Sequence, residues 1–166
     1  DAAIYKRSFS MQKRSYWLVK SEPTSYSFDD LQDEPEHTAE WDGVRNFQAR
    51  NNLCRMQLGD GVLFYHSNAK PSAIVGLATV TAASYPDHTA WDPNSDHPDP
   101  KSTPESPIWY MVDVKAAASL KFPISLDVVK STPGLENMVL VKNSRLSVQP
   151  VTIQEWEIIM EISEFN

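Results

Sequence analysis

Several short segments of this chain are apolar at consecutive positions, and this constrains its fold more than any other feature. "YWLV" (Tyr16–Val19), "VLFY" (Val62–Tyr65), "AIVGLATV" (Ala73–Val80) and "WYMV" (Trp109–Val112) all show it. A strand with one wet face alternates apolar and polar residues, whereas a strand apolar on both faces must be covered on both. The runs are rich in Val, Ile, Thr and aromatic residues, which suit a pleated strand. They predict sheets buried on both faces, as in a small closed barrel. The predicted strands begin with "YWLVKSEP", ended by Pro23, which has no N–H to donate and holds Glu22 extended. Val62–Ser67, Ala73–Ala83, Ile108–Ala116, "NMVLV" and "RLSVQPV" complete them. Gly76, inside one run, marks a bulge or a close backbone approach.

Helix signals fall between the strands. "YSFDDLQDE" opens on Ser27 as N-cap with acids in its first turn. Asn46–Met56 is the longest central helix, with Phe47, Leu53 and Met56 on its inner face and Arg50 and Arg55 toward its edges. Ser125 caps "ISLDVVKST". Thr152 and Glu155 form a capping box ahead of "IQEWEIIMEI", where Trp156, Ile159 and Met160 are the expected core contacts. Pro86–Pro107 carries half of the twelve prolines and reads as one long loop. Its Asp and His residues lack ligand spacing, so no metal is expected.

At 166 residues one domain is expected, with residues 1–14 as a basic N-terminal arm and 15–166 as the folded unit. The arm reads as an organelle presequence, an extension or a remnant ahead of Met11. The net charge of −7 argues against salt-driven wrapping of a long nucleic acid, which needs many Lys and Arg, but not against a pocket for one nucleotide. Charge is uneven: Asp29–Asp42 holds acids and no Lys or Arg, whereas the first twenty residues and the central helix are basic. Cys54 is the single cysteine, which excludes an internal disulfide and a cysteine zinc site and fits a reducing intracellular setting. No apolar run reaches the length of a membrane span.

One window concentrates recognition chemistry. "EWDGVRNFQARNN" (Glu40–Asn52) places Trp41 beside Arg45, Asn46, Gln48, Arg50, Asn51 and Asn52. Arg, Asn and Gln read planar polar edges by paired hydrogen bonds, and an indole offers a stacking surface. The same window also fits a capped surface helix next to a core Trp. "FYHS" puts Tyr65, His66 and Ser67 at a strand end, read equally as a strand emerging into solvent or as a pocket mouth. Adjacent His66 and Ser67 point to opposite faces, which argues against a hydrolase pair. "NSRLSVQP" alternates, setting Arg145, Ser147 and Gln149 on one side. It fits either a half-exposed strand or an Arg holding a planar or anionic group. "VKSEP" sets Lys20 and Ser21 just past a buried strand.

The ordered motifs "YWLVKSEP", "WDGVRNFQARNN", "GDGVLFYHS", "IVGLATVTAASYPD", "WYMVDV" and "SRLSVQPVTIQEW" resemble the EVE domain, within it the thymocyte nuclear protein 1-like family and its bacterial relatives. The match runs from about Tyr16 to Ile162. The resemblance implies an α+β, PUA-like fold, a compact β-barrel flanked by short helices, similar to the YTH and SRA domains that read methylated bases. It implies a non-enzymatic binding domain without cofactor that recognises a modified base, 5-methylcytosine or 5-hydroxymethylcytosine in DNA. A monomer is expected, nuclear in a eukaryote and cytoplasmic in a bacterium. Carried over on the matched motifs, Trp41 is the stacking wall, and Asn46 and Arg50 are base-edge or phosphate donors. Lys20 and Ser21 line the rim, Tyr65, His66 and Ser67 form the opposite wall, and Arg145 and Ser147 close the pocket. Trp17 and Trp156 are assigned to the core. Such a pocket draws on stacking and edge hydrogen bonds, so a local basic rim suffices for a chain of this charge. The rival readings are an RNA or tRNA modified-base reader, a module that binds or processes free nucleotides or metabolites, and a scaffold.

Overall fold

The structure is a computed structural model that describes residues 13–165, so most of the expected N-terminal arm lies outside the described residues. Six strands form one mixed sheet: β1 (Tyr16–Ser21), β2 (Thr38–Glu40), β3 (Gly61–His66), β4 (Ala73–Pro86), β5 (Tyr110–Ser125) and β6 (Val148–Val151). Five helices accompany it: α1 (Phe28–Asp33), α2 (Phe47–Arg55), α3 (Leu126–Ser131), α4 (Val139–Lys142) and α5 (Ile153–Phe165). Single 3₁₀ turns occupy Pro35–His37 and His88–Trp91.

The hydrogen-bonded order is β2-β5-β4-β3-β1-β6, with β1 and β3 parallel and the other pairs antiparallel. β2 and β6 are the two edges, so the sheet is open and the closed barrel expected from the sequence is corrected. The inference of burial on both faces holds, but helices supply the cover. Trp17, Val19, Val62 and Phe64 face a core shared with α1 and α2, through Phe28, Leu31 and Leu53. Their neighbours Leu18, Leu63 and Tyr65 face a second core with Val129, Leu140 and Ile159 from α3, α4 and α5. An apolar run that is sandwiched between two helical layers needs no closure to stay dry.

Local signals set the element ends. Ser27 accepts from Asp30 N at 3.0 Å while the Asp30 carboxylate accepts from Ser27 N at 2.8 Å, a reciprocal box that starts α1. Asn46 Oδ1 accepts from Ala49 N at 2.9 Å and starts α2. Thr152 and Glu155 satisfy each other's backbone N–H groups at 3.1 and 2.9 Å ahead of α5. At Gly76 an added Cβ would meet the Phe28 ring at 2.4 Å, and the β4–β5 register shifts beside it. The glycine therefore serves both predicted purposes, a bulge and a close approach.

Three further readings are corrected. "NMVLV" is not a strand: Val139–Lys142 is one helical turn that sends Leu140 into the second core. A run this short has no period by which to tell strand from helix. "RLSVQPV" is a strand only over Val148–Val151, and β5 runs on to Ser125 as the partner of the long β4. Phe47 is not on the inner face of α2: it is 58% exposed, whereas Leu53 and Met56 are buried.

Candidate functional site

Parallel β1 and β3 end on the same side of the sheet, and the turn into β6 comes back beside them. Lys20 N donates to Ser147 O at 2.9 Å, which holds Lys20, Ser21 and Ser147 together. The chain leaving β2 crosses in front, held where Trp41 N donates to Val112 O at 2.7 Å. Between these segments opens a cleft of about 1170 Å³. Its floor is Trp41, 9% exposed, with the Tyr26 ring edge-on at 6.1 Å and the Phe64 ring at 5.4 Å. Each such edge contact is worth about 0.5–1.5 kcal/mol beyond area burial, so the floor is rigid.

Part of the lining comes from the long proline-rich loop, Asn94–His97. Asp87, with no exposed side-chain surface, ties this loop down. Its Oδ2 accepts from Gly43 N and from Arg45 Nη1, both at 2.9 Å, and its Oδ1 accepts from Thr89 N and Oγ1 at 2.9 and 2.6 Å. Burial pushes the Asp87 carboxyl up, but the donors from Thr89, Arg45 and Gly43 outweigh it and hold the group below its ordinary value. Arg45 also donates to His97 O from Nε and Nη2, at 3.1 and 2.8 Å. Gly43 has φ +77°, and an added Cβ would lie 2.6 Å from the His97 ring, so the "WDGV" bend needs glycine on both counts.

The electrostatics differ from the expected basic rim. Glu34, Glu40, Asp42 and Asp96 line the cleft against the cations Lys20 and Arg45. Burial pushes the Asp42 carboxyl up, and the neighbouring Asp87 charge adds to it. Tyr26 Oη donates to Glu34 Oε1 at 3.0 Å, and burial, followed by this carboxylate, raises the phenol pKa. Burial lowers the Lys20 pKa; its ammonium donates to Ser144 O and lies 5.6 Å from the Tyr65 ring centroid. The cleft is therefore an apolar floor walled mainly by hydrogen-bond acceptors, with few donors among them.

Of the residues singled out in the sequence, Lys20, Ser21, Trp41 and Ser147 meet in this cleft, Trp41 as floor rather than free-standing wall. The others lie outside its lining. Asn46 spends its side chain capping α2. Arg50 lies over Phe47, 4.9 Å from the ring centroid, and donates to Ile108 O at 2.9 Å. Tyr65 is buried in the second core. His66 Nε2 accepts from Phe28 N at 3.1 Å and so caps α1. Ser67 N bonds Ser21 O at 3.0 Å, and Arg145 is exposed on the turn before β6. Sequence reasoning missed Tyr26, Glu34, Asp42 and Arg45 as lining residues. The signal for Arg45 was its place in the Trp41 window; for Glu34 and Asp42 it was the Asp29–Asp42 run, which showed only that charge is uneven along the chain.

Comparison with known proteins agrees with this architecture. The family model described as "EVE domain" matches residues 15–162. Human thymocyte nuclear protein 1 is 43% identical over 167 residues, covering 90% of this chain and 74% of its own. The crystal structure of the human THYN1 protein in complex with 5-methylcytosine-containing DNA superposes with a TM-score of 0.86, at 42% identity over 90% of this chain and 98% of that one. A hypothetical protein from Leishmania major superposes with a TM-score of 0.88, at 46% identity, over 92% and 96% of the two chains. The YTH domain of the Zygosaccharomyces rouxii MRB1 protein shares the fold at a TM-score of 0.55 and 13% identity, covering 93% of this chain and 89% of that one.

Proposed function

This chain belongs to the EVE domain family, and from that membership and the cleft we propose that it is a non-enzymatic reader of a modified cytosine in DNA. The observation that carries the proposal is the human relative's complex with DNA containing 5-methylcytosine. The cleft chemistry supports it independently. Cytosine presents an N4 amino donor, which suits walls made of the Glu34, Glu40, Asp42 and Asp96 carboxylates. Its O2 and N3 acceptors suit the Lys20 ammonium and the Ser147 hydroxyl, which also line the cleft. A 5-methyl group suits the apolar floor of Trp41, and the base enters unstacked from its strand. Thymine carries the same methyl but presents an O4 acceptor to the carboxylates, so the walls discriminate against it. Residues 15–166 form the reading unit in this proposal, and it acts as a monomer.

The test is a fluorescence-anisotropy titration with DNA probes carrying one cytosine, 5-methylcytosine, 5-hydroxymethylcytosine or thymine, and with matched RNA. The expected result is tightest binding to a modified cytosine in DNA. Trp41→Ala should abolish the preference, but it also removes a large core side chain at a cost of about 3–5 kcal/mol. Ser25→Trp, which adds a ring on an exposed lining residue, should abolish it with the fold intact. Glu34→Gln should narrow the gap between 5-methylcytosine and thymine. Equal affinity for all probes would overturn the proposal, and tighter binding to the RNA set would replace DNA with RNA as the target.

A further inference from the structure

Phe47 is the first residue of α2 and is 58% exposed, an unusual place for an aromatic ring. The ring is nonetheless held in position. It stacks on Trp109 at 4.9 Å between centroids and 28° between planes, and Arg50 lies 4.9 Å from its centroid. Arg50 is fixed in turn: Nη1 donates to Ile108 O at 2.9 Å, and Nη2 and Nε donate to Asn51 Oδ1 at 2.9 and 3.2 Å. A guanidinium carries five N–H groups. Among the described residues, one on each terminal nitrogen of Arg50 therefore remains for a partner. Trp109, 5% exposed, backs the stack and is locked where its Nε1 donates to Asp99 Oδ2 at 2.7 Å. None of this exposure serves the core.

Arg45 connects this platform to the cleft. Its side chain lines the cleft, while its guanidinium carbon lies 5.7 Å from the Trp109 ring centroid. A positioned aromatic pair, Phe47 with Arg50 against it and Trp109 with Arg45 against it, adjoining a cleft large enough to admit a base, has the composition of a stacking platform for a nucleic-acid strand.

We propose that Phe47, with Arg50 beside it, receives the nucleotide that flanks the base held in the cleft: its base stacks on the Phe47 ring and its phosphate takes the free N–H groups of Arg50. The proposal rests on the base-reading function above and adds a second subsite to it. It also explains how an acidic cleft reads a base within a polyanion. The cleft takes the uncharged ring, and the phosphate is met outside it, at the platform.

The test compares two ligands that use the two subsites differently. One is 5-methyl-2′-deoxycytidine 5′-monophosphate, followed by NMR shift titration, and the other is a short oligonucleotide carrying a single 5-methylcytosine, followed by anisotropy. Phe47→Ala should weaken the oligonucleotide by roughly 5- to 150-fold, the range of one base–aromatic stack, and leave the mononucleotide unchanged. Phe47→Tyr should restore oligonucleotide binding, and Phe47→Leu, equally apolar but ringless, should not. Thermal melts of each variant separate this from misfolding. Oligonucleotide binding by Phe47→Ala within roughly two-fold of wild type, with the 5-methylcytosine preference kept, would overturn the platform and leave the cleft reading standing. An equal loss for both ligands would place Phe47 in the cleft's support and also overturn it. If the wild-type protein binds neither ligand, both proposals fail together.

Discussion

At the scale of single residues, His66 shows how a candidate ligand-binding side chain becomes a structural one. The strand-end motif "FYHS" reads as a possible pocket mouth, yet His66 Nε2 accepts the Phe28 N–H at 3.1 Å and so carries no proton. Burial pulls its pKa below the ordinary value near 6.5, with the Asp29 charge opposing. The unfolded chain thus binds a proton that the folded chain excludes. The stabilisation is complete above a pH of about 6.5 and is lost as the pH falls through the lower folded value. Urea unfolding at stepped pH should show stability declining on acidification below about 6.5. His66→Gln, which keeps an acceptor without titrating there, should flatten that decline; an unchanged slope would remove His66 from the account. Trp41 and Arg45 illustrate the opposite case. Their side-chain chemistry was readable in one window, but their separate positions, floor and strut, were not.

At the scale of elements, the caps were legible because they are local. Ser27 with Asp30, Asn46, Ser125 and Thr152 with Glu155 each close a bond within three residues of their own position. The wall of the cleft was not legible, because Asp87 binds Gly43 and Arg45 across more than forty residues of chain. A proline-rich loop carries no sequence mark of where it will lie. Asp87→Asn puts an amide donor against donors and should cost about 2–3 kcal/mol, measured as a lowered urea midpoint. It should also speed amide exchange at Asn94–His97, since the loop loses its anchor; unchanged exchange there would show that something else holds the wall. The "NMVLV" segment failed as a strand for a related reason: four apolar residues carry no period, and the second core decided their conformation.

At the scale of the whole molecule, the charge of −7 and the acidic cleft limit how the protein meets a polyanion. Only a few cations, Arg45, Arg50 and Lys20 among them, stand near the proposed path of the strand. A plot of log affinity against log salt should therefore have a slope no steeper than about −3, given close to one counterion released per phosphate contact. A slope near −6 would mean a broad electrostatic footprint elsewhere and would move the interface. Burial of the strands on both faces, the caps, the glycine bulge and the family resemblance were all set by the sequence alone. Each depends on neighbouring residues or on motifs in a fixed order. The tertiary structure alone decided that the sheet stays open, that Trp41 is a floor, that carboxylates line the cleft and that Phe47 faces outward. Those outcomes depend on which distant segments pack together, and hydrophobic burial, being non-directional, rewards many such packings equally until the whole chain selects one.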